Sequence, residues 1–88
     1  DARIVVTLDC DALDPSIMPG VLSPVPGGLS YTQVTDLIHG LGRRGTISGF
    51  DIVELMPKRD VRGVSALTAY RITANAISAI GKRLTELQ

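Results

Sequence analysis

The chain has 88 residues, enough for one small domain or for a segment of a larger one. Nine basic and nine acidic residues cancel, so there is no net field to attract nucleic acid, anionic lipid or a polyanionic substrate. The single cysteine cannot form an internal disulfide, and no apolar run approaches the roughly 20 residues of a membrane helix, so we expect a cytoplasmic protein with no membrane partner.

The first predicted element is a strand at residues 4–8, with the sequence Ile-Val-Val-Thr-Leu. This β-branched, nearly continuous apolar run is typical of a parallel strand buried on both faces. The chain starts without Met and enters the strand within three residues. We therefore expect that residues 1–88 form the C-terminal part of a domain whose upstream part is absent.

A long loop follows the strand. Residues 14–28 contain four prolines and three glycines, which predicts irregular structure. Loops of such length within a compact fold tend to be functional. Asp14 and Pro15 form a turn-starting pair, in which the carboxylate is expected to bond backbone amides of the loop.

A helix, a second strand and a second helix complete the predicted order. Ser30 and Gln33 form a capping box, and the first helix should stop between Gly42 and Gly45. A strand is predicted from Ile47 to Leu55, and a long amphipathic helix from Ala66 to Leu87. The β-α-β-α order predicts parallel strands joined by a right-handed crossover.

Acidic residues stand at the end of both strands. Because sites form at the carboxyl ends of parallel strands, Asp9, Asp11 and Glu54 are predicted to line one crevice. Residues two apart in a strand point to the same face, so Asp9 and Asp11 could reach one hard divalent cation together. Two carboxylates cannot complete its shell, and the only histidine, His39, lies on the first helix. Cys10 is predicted to point into the core.

A purely structural role for these acidic residues also stays open. Aspartates at strand ends often cap only the loop or helix that follows. Asp60 fits that description, either as a loop cap or as an ion-pair partner.

Two sequence blocks carry a more specific pattern. Residues 7–15, Thr-Leu-Asp-Cys-Asp-Ala-Leu-Asp-Pro, precede a loop with Pro-Gly at 19–20 and Pro-Gly-Gly-Leu at 26–29. Residues 49–54, Gly-Phe-Asp-Ile-Val-Glu, form the second block, and Leu-Thr-Ala at 67–69 opens the last helix. In this order the chain resembles the ureohydrolase family, which includes arginase and agmatinase, and its loop and first helix start look most like agmatinase.

The resemblance implies a three-layer α/β/α fold with a parallel sheet and a pair of Mn²⁺ ions, with a hydroxide that attacks a guanidinium carbon. Asp9 would bridge the two ions and Asp11 would chelate one, while the remaining ligands lie outside this chain. Glu54 and Ser23 would bind the guanidinium of a small substrate. The family forms homo-oligomers, usually trimers or hexamers. No residue of the chain is identified as the catalytic acid that protonates the leaving amine.

Departures from the family pattern bear on the substrate more than on the chemistry. Thr7 and Cys10 replace more usual residues without removing a ligand, whereas Leu22 and Ser23 change a substrate-facing loop.

Two alternatives to the ureohydrolase function remain. A haloacid-dehalogenase-like phosphohydrolase also ends a strand in Asp-x-Asp, but Ala12 and Leu13 do not fit its motif. A non-catalytic fragment with a structural or oligomeric role is the other, since exposed strand edges favour association.

Overall fold

The computed structural model describes residues 2–87 and confirms the predicted β-α-β-α order. Its helices and strands are β1 (Ala2–Asp9), α1 (Tyr31–Arg44), β2 (Gly45–Val53) and α2 (Val64–Glu86). Short 3-10 turns follow the strands, at Cys10–Ala12 after β1 and at Pro57–Arg59 after β2. α2 begins two residues earlier than its apolar periodicity indicated.

The two strands pair directly and in parallel, as predicted, so their carboxyl ends share one edge of the sheet. The register is interrupted once: Ile4 pairs with Ile47, but Val5 pairs with Gly49. Ser48 is therefore an extra residue in β2, a β-bulge that changes which alternate side chains face inward. Beyond the bulge, Asp9 pairs with Val53 at the end of both strands.

The prediction that the first strand is buried on both faces is wrong for the described residues. Ile4, Val6 and Leu8 pack against the core, whereas the alternate residues are exposed, and Val5 has 73% of its surface exposed. The reason is that both helices lie on the same side of the sheet: α1 and α2 pack on each other and both contact β2. The outer face of the sheet has no second layer within residues 2–87.

Each helix start is fixed by polar side chains. The predicted capping box of α1 is present, because the Ser30 hydroxyl accepts from the Gln33 N–H and the Gln33 side chain accepts from the Ser30 N–H, at 3.1 and 2.9 Å. At the start of α2, both oxygens of Asp60 accept backbone N–H groups, those of Ser65 at 2.8 Å and Ala66 at 3.1 Å.

No helix within residues 2–87 has the length and apolar character needed to cross a bilayer.

The predicted loop after β1 is irregular but well packed. Leu13 pairs with Leu29 in an isolated bridge, so the two ends of the loop lie side by side. Between them, Met18 and Val21 are buried in the core, and the Thr68 hydroxyl of α2 donates to the Ile17 carbonyl at 2.8 Å. A long segment without regular structure is thus held in place by a few buried side chains and a closed neck.

Candidate functional site

The site at the carboxyl edge of the sheet begins with Asp9, the last residue of β1. Its carboxylate accepts the N–H of Asp11 at 2.9 Å and so caps the 3-10 turn at Cys10–Ala12. Asp11 belongs to that turn and not to the strand, so the prediction that strand alternation turns Asp9 and Asp11 to the same face is wrong. The local cap, and not the period of two, sets the relative position of the two aspartates.

Asp11 carries an unusual polar atom. Its Oδ1 is buried, and no group within residues 2–87 forms a hydrogen bond with it. A buried carboxylate oxygen without a partner is costly, because the oxygen has lost its hydration and gained nothing in return. Hard divalent cations bind carboxylate oxygens, so Asp11 fits the ligand role predicted for it.

The Cys10 thiol lies close enough to Asp9, Asp11 and Glu54 to be affected by the charge of each. The thiol is fully buried in the core, as predicted. Burial, and to a lesser extent the negative charges of Asp9, Asp11 and Glu54, together raise the pKa of Cys10 to about 11. These carboxylates, contributed by both strand ends, therefore act on one buried atom, and the thiol stays protonated at neutral pH.

Glu54 leaves β2 in a strained backbone conformation. It follows Val53, the register partner of Asp9, and it has a φ of 68°, in the left-handed region that side chains other than Gly rarely adopt. The side chain is exposed to solvent. Strain of this kind concentrates at functional sites, where surrounding structure holds a side chain in a direction that it would not otherwise take.

The acidic side chains do not form a complete metal site. Within residues 2–87, no group of three or more His, Cys, Asp or Glu side chains is arranged to hold a metal ion. His39 is not near the strand ends: its Nε2 lies 2.9 Å from the Asn75 Oδ1 in the interface between α1 and α2. The sequence-based expectation that any ion would need further ligands is consistent with this geometry.

Ser23 lies in the loop after β1, just beyond the buried Val21, and its side chain is exposed. The same loop is organised by Asp14, whose Oδ1 accepts the Gly27 N–H at 2.9 Å and whose Oδ2 accepts the Ser16 N–H at 3.0 Å. Asp14 is therefore a loop cap, as predicted. Its hydrogen bonds with the hydroxyl and amide of Ser16, and then with Gly27, lower the pKa of Asp14.

Asp60 is also a cap, which confirms the first of its two predicted roles. Partial desolvation acts to raise the pKa of Asp60, but hydrogen bonds from Ser65, Ala66 and Val61 outweigh it and hold that pKa below its ordinary value. Asp14 and Asp60 thus have their oxygens engaged by protein N–H groups, unlike the buried oxygen of Asp11.

Sequence reasoning missed Gly20 and Ser65. The Gly20 N–H donates to the Ser65 hydroxyl at 2.7 Å, although the two residues lie 45 positions apart. A Gly after Pro and a Ser near a helix start are common, so neither pattern indicates a partner this distant in sequence. Only the packing of the loop against α2 brings them together.

A groove of about 880 Å³ on the outer surface of α1 is separate from these residues. Its apolar side chains include Leu29, Leu37 and Leu41, and Asp36 and Arg44 also line it. None of the predicted metal or substrate residues belongs to it.

Comparison with known proteins gives consistent matches. The family model described as the arginase family matches residues 1–79. The N(1)-aminopropylagmatine ureohydrolase of Thermus thermophilus is 44% identical over 79 residues, which are 90% of this chain and 26% of the relative.

Solved structures of two further proteins share the fold. The agmatine ureohydrolase of Thermoplasma volcanium has a TM-score of 0.84 and 34% identity over 96% of this chain and 28% of its own. The proclavaminate amidino hydrolase of Streptomyces clavuligerus has a TM-score of 0.84 and 31% identity, covering 92% of this chain and 27% of its own. The chain therefore spans about a quarter of the length of the relatives that it matches.

Proposed function

Because the chain belongs to the arginase family of ureohydrolases and has its α/β fold, we propose that it is the C-terminal part of an enzyme that hydrolyses a guanidino compound to urea and an amine. The proposal covers the whole enzyme, since the chain spans only about a quarter of its relatives' length. The family match also removes the support for the dehalogenase alternative.

The observation that carries the proposal is the buried, unpartnered Oδ1 of Asp11, two residues after Asp9, whose carboxylate caps the 3-10 turn. In this proposal Asp11 would bind one Mn²⁺ ion and Asp9 would be shared by two, while the missing ligands would come from outside the chain. When bound, two such ions would acidify a water molecule enough to supply the nucleophile at neutral pH.

The remaining groups of the chain bind the substrate. A carboxylate matches the planar donor fork of a guanidinium, and the strained backbone of Glu54 supports its assignment to that role. Ser23, on the exposed part of the loop, would offer its hydroxyl to the same group. Binding by both side chains would orient the guanidinium carbon relative to the ions.

Agmatine or a related guanidino amine is the substrate to test first. Two of the similar proteins are ureohydrolases of agmatine and of aminopropylagmatine by name. The third, named for proclavaminate, makes a guanidino acid the next class to test. We further propose that the whole enzyme is a cytoplasmic trimer or hexamer.

The test uses the full-length protein loaded with Mn²⁺, with urea release from agmatine as the readout. Asp11→Ala should lose bound manganese, measured by elemental analysis, and should lose activity by several orders of magnitude. Asp14→Ala is the matched control, because Asp14 belongs to the same motif but binds only loop atoms. Activity in metal-free protein, or full metal content in Asp11→Ala, would contradict the proposal.

A structural or oligomeric role without catalysis is the second candidate, and one observation favours it. The outer face of the sheet leaves Val5 73% exposed and Val53 37% exposed, and such a face tends to be covered by other protein. If the full-length protein binds no manganese and releases no urea, this candidate replaces the first.

A further inference from the structure

Gly20 connects two segments that are far apart in sequence. Its carbonyl accepts the Met56 N–H at 2.7 Å, and its own N–H donates to the Ser65 hydroxyl at 2.7 Å. Gly20 and Ser65 are both buried, and Ser65 has no exposed surface. We refer to the three residues Gly20, Met56 and Ser65 as the Gly20 clamp.

The clamp has little room for adjustment. A Cβ atom at Gly20 would lie 2.9 Å from the Ser65 Oγ and 3.2 Å from the Met56 carbonyl oxygen. Ser65 is fixed from the other side, because its N–H donates to the Asp60 carboxylate at 2.8 Å. The hydroxyl therefore has a defined position at the start of α2, and the loop backbone is pressed against it.

The clamp joins the two chain segments that carry the groups assigned to the substrate. Gly20 precedes Ser23 by three residues, and the buried Val21 anchors the chain between them. Met56 follows Glu54 by two residues. A change in the distance from Gly20 to Met56 or Ser65 would therefore be passed to the separation of Ser23 and Glu54.

Building on the proposed function, we infer that Ser65 is a positioning residue that sets the separation of Ser23 and Glu54, and hence how well the site fits a guanidinium group. Ser65 touches neither the substrate nor an ion in this scheme. Its hydroxyl also bonds the Asp60 carboxylate, but it acts on the loop through the buried hydrogen bond that it accepts from the Gly20 N–H.

The test compares Ser65→Ala with Thr68→Ala in the full-length enzyme. Thr68 is the matched control, since its hydroxyl also links α2 to the loop backbone, but at Ile17, farther from Ser23. Loss of a hydrogen bond worth about 1.4 kcal/mol corresponds to a tenfold effect, so Ser65→Ala should raise KM for agmatine about tenfold and change kcat little. Thr68→Ala should leave KM within about twofold of wild type.

A double-mutant cycle separates positioning from general destabilisation. If Ser65 acts through Ser23, then Ser65→Ala should have little further effect on KM in a Ser23→Ala background. Gly20→Ala crowds the clamp without removing either hydrogen-bonding group. It should likewise raise KM in the wild-type background and have little further effect on KM in the Ser23→Ala background. Full additivity of Ser65→Ala with Ser23→Ala, or an equal rise of KM in Thr68→Ala, would overturn the inference while the proposed function stood.

Hydrogen exchange tests the clamp without any use of activity. In wild-type protein the amides of Gly20 and Met56 should be protected, and Ser65→Ala should speed exchange of both, while Thr68→Ala leaves Met56 unchanged. If Ser65→Ala leaves the exchange of both amides unchanged, the clamp is wrong. If wild-type enzyme releases no urea, the proposed function fails and exchange still decides whether the clamp exists.

Discussion

Aspartates close together in sequence have different tasks. Asp14 has both oxygens engaged by loop donors, Asp9 caps a turn, and Asp11 keeps one buried oxygen without a partner among the described residues. Residue type and spacing indicated an acidic site but could not show which oxygen lacks a hydrogen bond. That distinction depends on the 3-10 turn after β1, which strand periodicity does not predict.

Cys10 allows a prediction on pH dependence. Its pKa is raised from 9.0 to about 11 in the folded chain, so the unfolded chain loses the thiol proton first as pH rises. Stability from this group is complete below pH 9 and is lost between pH 9 and about 11, by at most about 2.7 kcal/mol at the conversion of 1.36 kcal/mol per pKa unit.

Urea denaturation of metal-free protein at several pH values between 8 and 11 measures this loss. Cys10→Ala, which has no thiol to ionise, should show a flatter decline than wild type over the same range. Equal slopes for the two proteins would contradict the assignment.

At the scale of elements, the crossing of α1 and α2 depends on a small residue. A Cβ at Gly42 would lie 3.1 Å from the Ala79 Cβ and 3.4 Å from the Ala79 carbonyl oxygen. Gly81 on α2 provides a contrast, because a Cβ there would meet nothing within 4 Å. The same residue type therefore serves close packing at one position and is dispensable at the other.

We expect Gly42→Leu to destabilise the protein by about 1–3 kcal/mol, the usual cost of overpacking. Gly81→Leu should stabilise it by roughly 0.5–1 kcal/mol, because Leu favours the helix more than Gly does. Chemical denaturation measures both. Equal effects of the two substitutions would show that the helices do not meet at Gly42.

The elements themselves were largely predictable from the sequence. Ser30 and Gln33 identified the start of α1 by a local rule, and the apolar periods gave both helices and both strands. The start of α2 was placed late because Val64 and Ser65 lie outside its clearest apolar repeat, and because the cap, Asp60, lies four residues before the helix. Contacts between distant segments, such as Gly20 with Ser65, leave no local pattern.

At the scale of the whole molecule, the sheet is covered on one face only within residues 2–87. The continuous apolar composition of β1 predicted burial on both faces. Burial is confirmed only for the face toward the helices, where Ile4, Val6 and Leu8 pack against the core. The composition of a strand indicates how deeply its side chains can be buried, but not which segment covers them. The layer needed to cover Val5 is not among residues 2–87.

The isolated 88-residue chain supplied with Mn²⁺ should release no urea from agmatine. Asp9 and Asp11 alone cannot complete the octahedral shell of even one ion, and no larger cluster of ligands exists within residues 2–87. A colorimetric urea assay measures this, with the full-length protein as positive control. Urea above the blank would mean that the chain builds a working site by itself.

Ser48, the unpaired residue of β2, marks the one place in this strand where a residue can be lost over evolution without a change of register. Deleting it would leave Ile47 opposite Ile4 and Gly49 opposite Val5, so β2 would pair in one regular register and Phe50 would still face the helices. A deletion within residues 49–53, by contrast, would move the rest of the strand by one place and change the direction in which Glu54 leaves it relative to Asp9. We therefore expect natural deletions in β2 to occur at Ser48 and to avoid residues 49–53.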